Sequence, residues 1–238
     1  LWVLLCVPCL LASCDHNVHD GEDEGGLSVS LTWADEADQG TEVKDVKLWI
    51  FNADDGSLVE EKHYSSAQEV ASQRFALPEG SYRILAATNL TEPFTIGEQT
   101  RALSNWNNIQ IGLTNPKDVN HNAYFGVADV KIDNKEGNYV VQNPVKSVLA
   151  ELTIIIENVP KGTEMSGKAL DAAWCLFPTQ KNSDGDYGLP SIKPTEVEMP
   201  TILATESTLQ SEIIRLMPTI QGSPASHVYL RLLLPNGT

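Results

Sequence analysis

From residue 27 the chain alternates: Leu27, Val29, Leu31 and Trp33 are interleaved with Ser28, Ser30 and Thr32. A period of two puts every apolar side chain on one face of an extended strand, so this stretch reads as a half-buried β-strand rather than an amphipathic helix. The grammar returns at residues 43–51, with Val46, Leu48 and Ile50 on one face and Trp49 and Phe51 on the other. Asn52-Ala53-Asp54-Asp55-Gly56 then supplies a tight turn, because Asp-Gly tolerates positive φ, and residues 57–64 return as the partner strand.

Further strands are expected at 81–88, after the turn Pro78-Glu79-Gly80, and at 123–132 and 139–141 around a turn at 134–138. Residues 145–157 carry the longest strand signal, with Val148, Ala150, Leu152, Ile154 and Ile156 sharing a face. After the break at 158–162, strands are expected at 172–177, 187–189, 213–217 and 227–234, and a short helix is expected at 98–106. Short strands at turn-bounded spacing predict an all-β chain built of β-sandwiches. The division falls near 142–146, giving an N-terminal domain at 27–143 and a C-terminal domain at 144–238.

The segment before the first strand is of another kind. Residues 1–11 form an almost unbroken apolar run, too short to cross a bilayer but of the right length for a signal-peptide core. It ends in Leu11-Ala12-Ser13-Cys14, which matches the bacterial lipobox. Small residues at Ala12 and Ser13 let a signal peptidase reach the backbone, and the Cys14 thiol accepts a diacylglycerol. After cleavage between 13 and 14, Cys14 gains a further acyl chain, and several chains anchor stably where one does not. Residues 1–13 are thus read as signal peptide and 14–26 as a solvated tether. The tether carries Asp20, Glu22, Asp23 and Glu24, and His16 and His19 among these acids read as part of the leash rather than a metal site. The opening on Leu1 and the ending at Thr238, just after an apolar strand, lead to the expectation of further sequence on both sides.

Charge and composition exclude other roles. There are 32 acidic and 16 basic residues, a net charge of -16, which repels phosphate backbones and speaks against nucleic acid as a partner. The spacing of His63, His121 and His227 fits no metal motif, and neither a Gly-x-Ser-x-Gly elbow nor a phosphate-cradling glycine loop occurs. No enzyme activity and no cofactor is expected, apart from the lipid on Cys14. Residues 182–188 have the look of a calcium loop but lack its terminal glutamate, so a hairpin turn is the reading. Asn89-Leu90-Thr91 and Asn236-Gly237-Thr238 match glycosylation sequons and, beside a bacterial lipobox, are taken as chance. Cys175, in the apolar run 172–177, is read as a core residue. Trp33 and Trp49 are read as packing residues within strands. Of the remaining tryptophans, Trp106 in the polar stretch 104–108 is the candidate for stacking on a ligand ring, ahead of Trp174.

Taken together, the strand at 27–33, the strand 46–51 with its hairpin at 52–58, and Leu77-Pro78-Glu79-Gly80-Ser81-Tyr82 leading to Ala86-Ala87-Thr88-Asn89 resemble the fimbrial subunit family of Bacteroidetes. Within it the pattern is that of minor or anchor subunits of type V pili, the FimB/Mfa type. Tyr124-Phe125-Gly126 and the strand through Ala150 and Ile156 fit the passage into that family's second domain. The resemblance implies two transthyretin-like β-sandwich domains on a lipid anchor in the outer membrane, exposed at the cell surface. It also implies other fimbrial subunits as partners, with a host or bacterial surface ligand as a further possibility. Acidic residues soon after the lipid cysteine resemble the surface-export signal of Bacteroidetes lipoproteins. In the family, stalk subunits lose an N-terminal segment by cleavage at an arginine, and a neighbour's strand fills the opened groove by β-augmentation. Here no arginine lies between Cys14 and Arg74, which favours a retained lipid and an anchor or base subunit, although a cut at Lys44 is an alternative. The competing functional reading is a glycan-binding surface lipoprotein of a polysaccharide-uptake system. A third, a lipoprotein enzyme, places its catalytic residues beyond Thr238.

Overall fold

The computed structural model describes residues 25–97, 104–115, 119–191, 194–219 and 227–236. The first strands are β1 (Gly26–Trp33), β2 (Lys44–Asn52) and β3 (Leu58–Ser66), followed by a single turn of helix, α1 (Ala67–Ala71). Then come β4 (Gly80–Thr88), β5 (Phe94–Gly97), β6 (Gln110–Leu113), β7 (Tyr124–Ile132) and β8 (Asn138–Ser147). The later strands are β9 (Ala150–Leu152), β10 (Ile155–Glu157), β11 (Glu164–Ala173), β12 (Cys175–Lys181) and β13 (Tyr187–Pro190). The last are β14 (Pro194–Leu203), β15 (Thr208–Gln210), β16 (Ile214–Leu216) and β17 (His227–Leu233).

A six-stranded sheet in the order β1-β8-β7-β4-β2-β3 forms the centre, antiparallel except where β1 runs parallel to β8. Both of its faces are buried, which is why β2 is apolar on both sides. Trp49 and Phe51 face a second sheet, β13-β12-β6-β5, across a core that includes Leu85, Phe125, Ile111 and Leu176. Val46, Leu48 and Ile50 join Leu27, Val29 and Ile84 in a core on the opposite face, covered by Val70 of α1 and by Phe75 and Leu77. The all-β sandwich expected from the alternation is therefore present.

Local chemistry explains the turns. Asn52 Oδ1 accepts from the Asp54 amide and Asp55 Oδ1 from the Ser57 amide, with Gly56 at φ 73°. The Tyr82 hydroxyl donates to the Pro78 carbonyl at 2.8 Å and locks the entry to β4. Asn89 ends that strand at φ 60°, and its Oδ1 accepts from the Lys44 amide at 2.8 Å. Helix α1 starts at Ser66, whose hydroxyl accepts from the Glu69 amide, while the Glu69 carboxylate accepts from the amide and hydroxyl of Ser65.

Two sequence expectations differ from the structure, and a third lies largely outside the described residues. The strand signal at 145–157 is divided among the end of β8, β9 and β10. The break falls where the Ser147 hydroxyl bonds both the amide and the carbonyl of Leu149, turning Val148 and Leu149 into the first core. The apolar run 172–177 is split between β11 and β12 at Trp174. The helix expected at 98–106 falls largely outside the described residues, and Trp106 opens a 3-10 turn, Trp106–Asn108, capped by Asn105.

A division at 143/144 passes through the middle of β8, and the later strand β12 returns to pair with β6 of the first sandwich, bringing β13 on its other side. Strand pairing over 60 residues of chain is not visible in local pattern. The rest of the second half forms the sheet β14-β11-β17 with the pairs β10-β15 and β9-β16, around small cores that include Ala169, Val197 and Met199, and Met165 and Leu209.

Candidate functional site

Two strand edges and one cleft are the features from which function can be argued. The first edge is β1 in its seat. Eight residues pair in register with β8, from Gly26 opposite Asn138 to Trp33 opposite Val145. Leu27 and Val29 are 0% exposed, and each such side chain contributes about 1.5–3 kcal/mol on burial. The strand is also tied from its outer side, since Leu27 and Phe75 exchange both backbone hydrogen bonds at 3.0 and 2.9 Å. The chain's own first strand thus fills the edge groove of the central sheet.

The second edge is that of β17. Strand β17 pairs with β11 on one side, and among the described residues no strand pairs with its other side. Val228, Leu230 and Leu232 stand opposite Ala169, Gly167 and Met165, so they share the face that β11 turns to its core. Yet they are 42%, 37% and 41% exposed. Leu230 lies over Gly167, where a Cβ would come within 2.9 Å of the Leu230 side chain. An apolar strand with an unpaired backbone edge is a template for pairing with another strand, and no charge or proline on its apolar face blocks it.

The cleft lies where β8 leaves the sandwich. Its volume is about 430 Å³, and its lining includes Phe125, Lys146, Leu176, Asp184, Gly188 and Pro218. Lys146 pairs directly with Phe125 of β7, which sends its side chain onto the face of the first core, with Nζ 5.4 Å from the Phe125 ring centroid. Burial pulls the Lys146 ammonium below the usual lysine range, and the Asp186 charge opposes this in part. The hairpin over the cleft is held by Asn182, whose Oδ1 accepts from the amides of Asp184 and Asp186. The hairpin read at 182–188 is therefore present. Gly188 is at φ 105°, and a Cβ there would stand 2.6 Å from Phe125 Cζ.

The structure alters one sequence-based assignment. Trp106 is 3% exposed, with its ring 5.4 Å from Phe51 and 6.0 Å from Tyr187 in edge contacts and the Arg83 guanidinium 5.5 Å from its centroid. Its amide donates to the Gly56 carbonyl at 2.9 Å, fixing the loop against the β2–β3 turn. The polar neighbours face outward while the indole points in, so Trp106 is a core anchor and offers no free face for ring stacking. Trp49 is buried in the first core, Trp33 packs edge-on against Tyr124, and Cys175 is 1% exposed. Cys14, Asp20, Glu22, Asp23 and Glu24 lie outside the described residues. Neither the β17 edge nor the Lys146 cleft was singled out from sequence. The parity of Lys146 with the exposed Val140 and Pro144 hid that this face meets a second sheet at its last turn.

Among the described residues no group of three or more His, Cys, Asp or Glu is placed to hold a metal ion, and no helix is long and apolar enough to cross a membrane.

Several solved structures share this fold. A candidate adhesin from Bacteroides thetaiotaomicron superposes with a TM-score of 0.65 at 12% identity, over 90% of this chain and 77% of that one. The fimbrial anchor protein Mfa2 from Porphyromonas gingivalis gives 0.59 at 14% identity, over 89% and 79%. A candidate adhesin from Bacteroides ovatus gives 0.57 at 14% identity, over 100% and 85%. No curated protein matches this chain. The model of the fimbrillin-A associated anchor proteins Mfa1 and Mfa2 matches residues 14–237, nearly the whole sequence, and the chain belongs to that family.

Proposed function

We propose that this protein is the lipid-anchored base subunit of a fimbrium at the outer membrane, working by being gripped rather than by catalysis. Diacylglycerol and a further acyl chain on Cys14 hold it, and Asp20, Glu22, Asp23 and Glu24 form the acidic tether that directs it to the cell surface. The observation that carries this reading is the seat of β1. A stalk subunit that exchanges strands must release its first strand; here that strand is buried, paired along its length and preceded by no arginine after Cys14. The subunit keeps its own groove filled, so it ends a chain of subunits at the membrane instead of passing the exchange on. The apolar edge of β17 is the surface that receives a neighbouring subunit's extended strand, gaining main-chain hydrogen bonds and covering Val228, Leu230 and Leu232. The burial of Trp106 removes the leading candidate for an aromatic stacking plane and so weakens the glycan-binding alternative.

A Cys14→Ala strain tests the anchoring. Fimbriae shed into the medium, with adhesion reduced, are the expected result. Fimbriae that stay on the cells in normal number count against a base subunit.

A further inference from the structure

The cleft at the end of β8 holds an ammonium that rests on the Phe125 ring and, among the described residues, meets no carboxylate at ion-pair distance. Strand alternation places Asn143 and Val145 in one core and sends Lys146 to the other side, over Phe125. An amine on the sheet's core-facing side is costly, because burial penalises its charged form. A lysine held there for stability would be matched by a carboxylate at ion-pair distance. Among the described residues none is: the basic groups seen in ion pairs there are Lys44, Lys62, His63, Arg83, Lys131, Lys168 and Arg215. Asp186 acts on Lys146 only at longer range.

The rest of the lining says what would satisfy this charge. Leu176, Leu189, Pro190 and Pro218 make apolar walls, and Ser147 and Asn182 add neutral polar groups. At about 430 Å³ the cleft has the size of a small-molecule or side-chain pocket. One ammonium set among apolar walls suits a single carboxylate carried beside an apolar group. A phosphate would need more donors, and an uncharged apolar ligand would leave the amine with no anionic partner, only the Phe125 ring. The Phe125 ring is itself covered by Lys146 and Gly188, so the floor offers no free aromatic face for a sugar. Asp184 is the one acid in the lining, and it is exposed on the hairpin, where water screens it more than the half-buried lysine. It weakens an anion's approach without cancelling the site.

We infer that the cleft around Lys146 binds a peptide carboxylate borne next to an apolar side chain. The carboxylate is either a chain end or the side chain of an aspartate or glutamate. This site is separate from both strand edges and stands whether or not the anchoring role does.

Ligand-observed NMR on the full chain in detergent micelles tests the inference with three probes. N-acetyl-leucine carries a chain-end carboxylate, N-acetyl-leucyl-glutamate α-amide carries one only on a side chain, and N-acetyl-leucinamide carries none. Saturable binding of the first identifies a chain end, and of the second a side chain; the neutral amide should not bind. Lys146→Met keeps the apolar stem and should weaken the bound probe by about tenfold or more, while leaving the thermal midpoint unchanged or higher. Asp184→Asn, an exposed change that the fold tolerates, should tighten binding. Equal binding of the neutral amide, no binding of either carboxylate, or no response to both substitutions overturns the inference.

Discussion

Truncating Leu27 to alanine measures how firmly β1 belongs to the fold. The side chain is wholly buried against Phe75 and its neighbours in the second core. Large-to-small changes of this kind cost about 2–5 kcal/mol, depending on how far the site collapses. Collapse is restricted here. The Leu27 backbone is bonded to Phe75 on one side and paired in register with β8 on the other, and the Gly26 amide donates to the Gly137 carbonyl at 2.9 Å. The loss should therefore lie in the upper half of that range, a large share of a domain stability of about 5–15 kcal/mol. Urea unfolding followed through tryptophan fluorescence reads it, because Trp49 and Trp106 lie in the adjoining core of the same sheet. Val140→Ala on the exposed face of β8 is the control and should stay within about 0.5 kcal/mol of the parent. A Leu27→Ala loss below about 1 kcal/mol would mean that β1 is only loosely held, and the case for a permanently filled groove would fail.

Trp106→Ala should cost about 3–5 kcal/mol, read as a lower urea midpoint, because the indole fills the core between Phe51 and Tyr187; an unchanged midpoint would restore it as a surface residue. Gly188→Ala combines a positive φ with a Cβ placed on the Phe125 ring, and should lower stability by about 1–3 kcal/mol; equal stability would show that the hairpin sits elsewhere. The amide and hydroxyl of Ser65 hold the Glu69 carboxyl below its ordinary range. A depressed carboxyl supports the fold above its unfolded value and stops doing so as pH falls through its folded one. The thermal midpoint should thus drop more in the parent than in Glu69→Gln on acidification below about pH 4.5, and parallel curves would refute that capping role. Leu230→Glu should leave the monomer folded while blocking its recovery with other fimbrial subunits; normal recovery would exclude β17 as the receiving edge.

Where a strand is bounded by its own chemistry, the residues alone revealed it. The two faces of β2, with Val46, Leu48 and Ile50 in one core and Trp49 and Phe51 in the other, follow directly from alternation. The hairpin at Asn182 and the turn at Asn52 follow from side chains that bond their own backbone. What stayed hidden depends on distant partners. Strands β5 and β6 are four residues each, too short for a period to register, and exist because they pair with each other and β6 pairs with β12. The return of β12 to the first sandwich leaves no local mark, so the chain was divided where one strand runs on. Trp106 was misassigned because a polar loop with one inward anchor looks the same, residue by residue, as a polar loop with one outward aromatic. The edge of β17, unpaired among the described residues, was hidden for a similar reason: an apolar strand reads as core until its neighbours are known.

The most direct test of the account is the intact mass and N-terminal peptide of the protein extracted from the cell surface. The account predicts an acylated Cys14 as the first residue, continuous with β1. A surface form that starts at or beyond Gly26 and carries no lipid would contradict it.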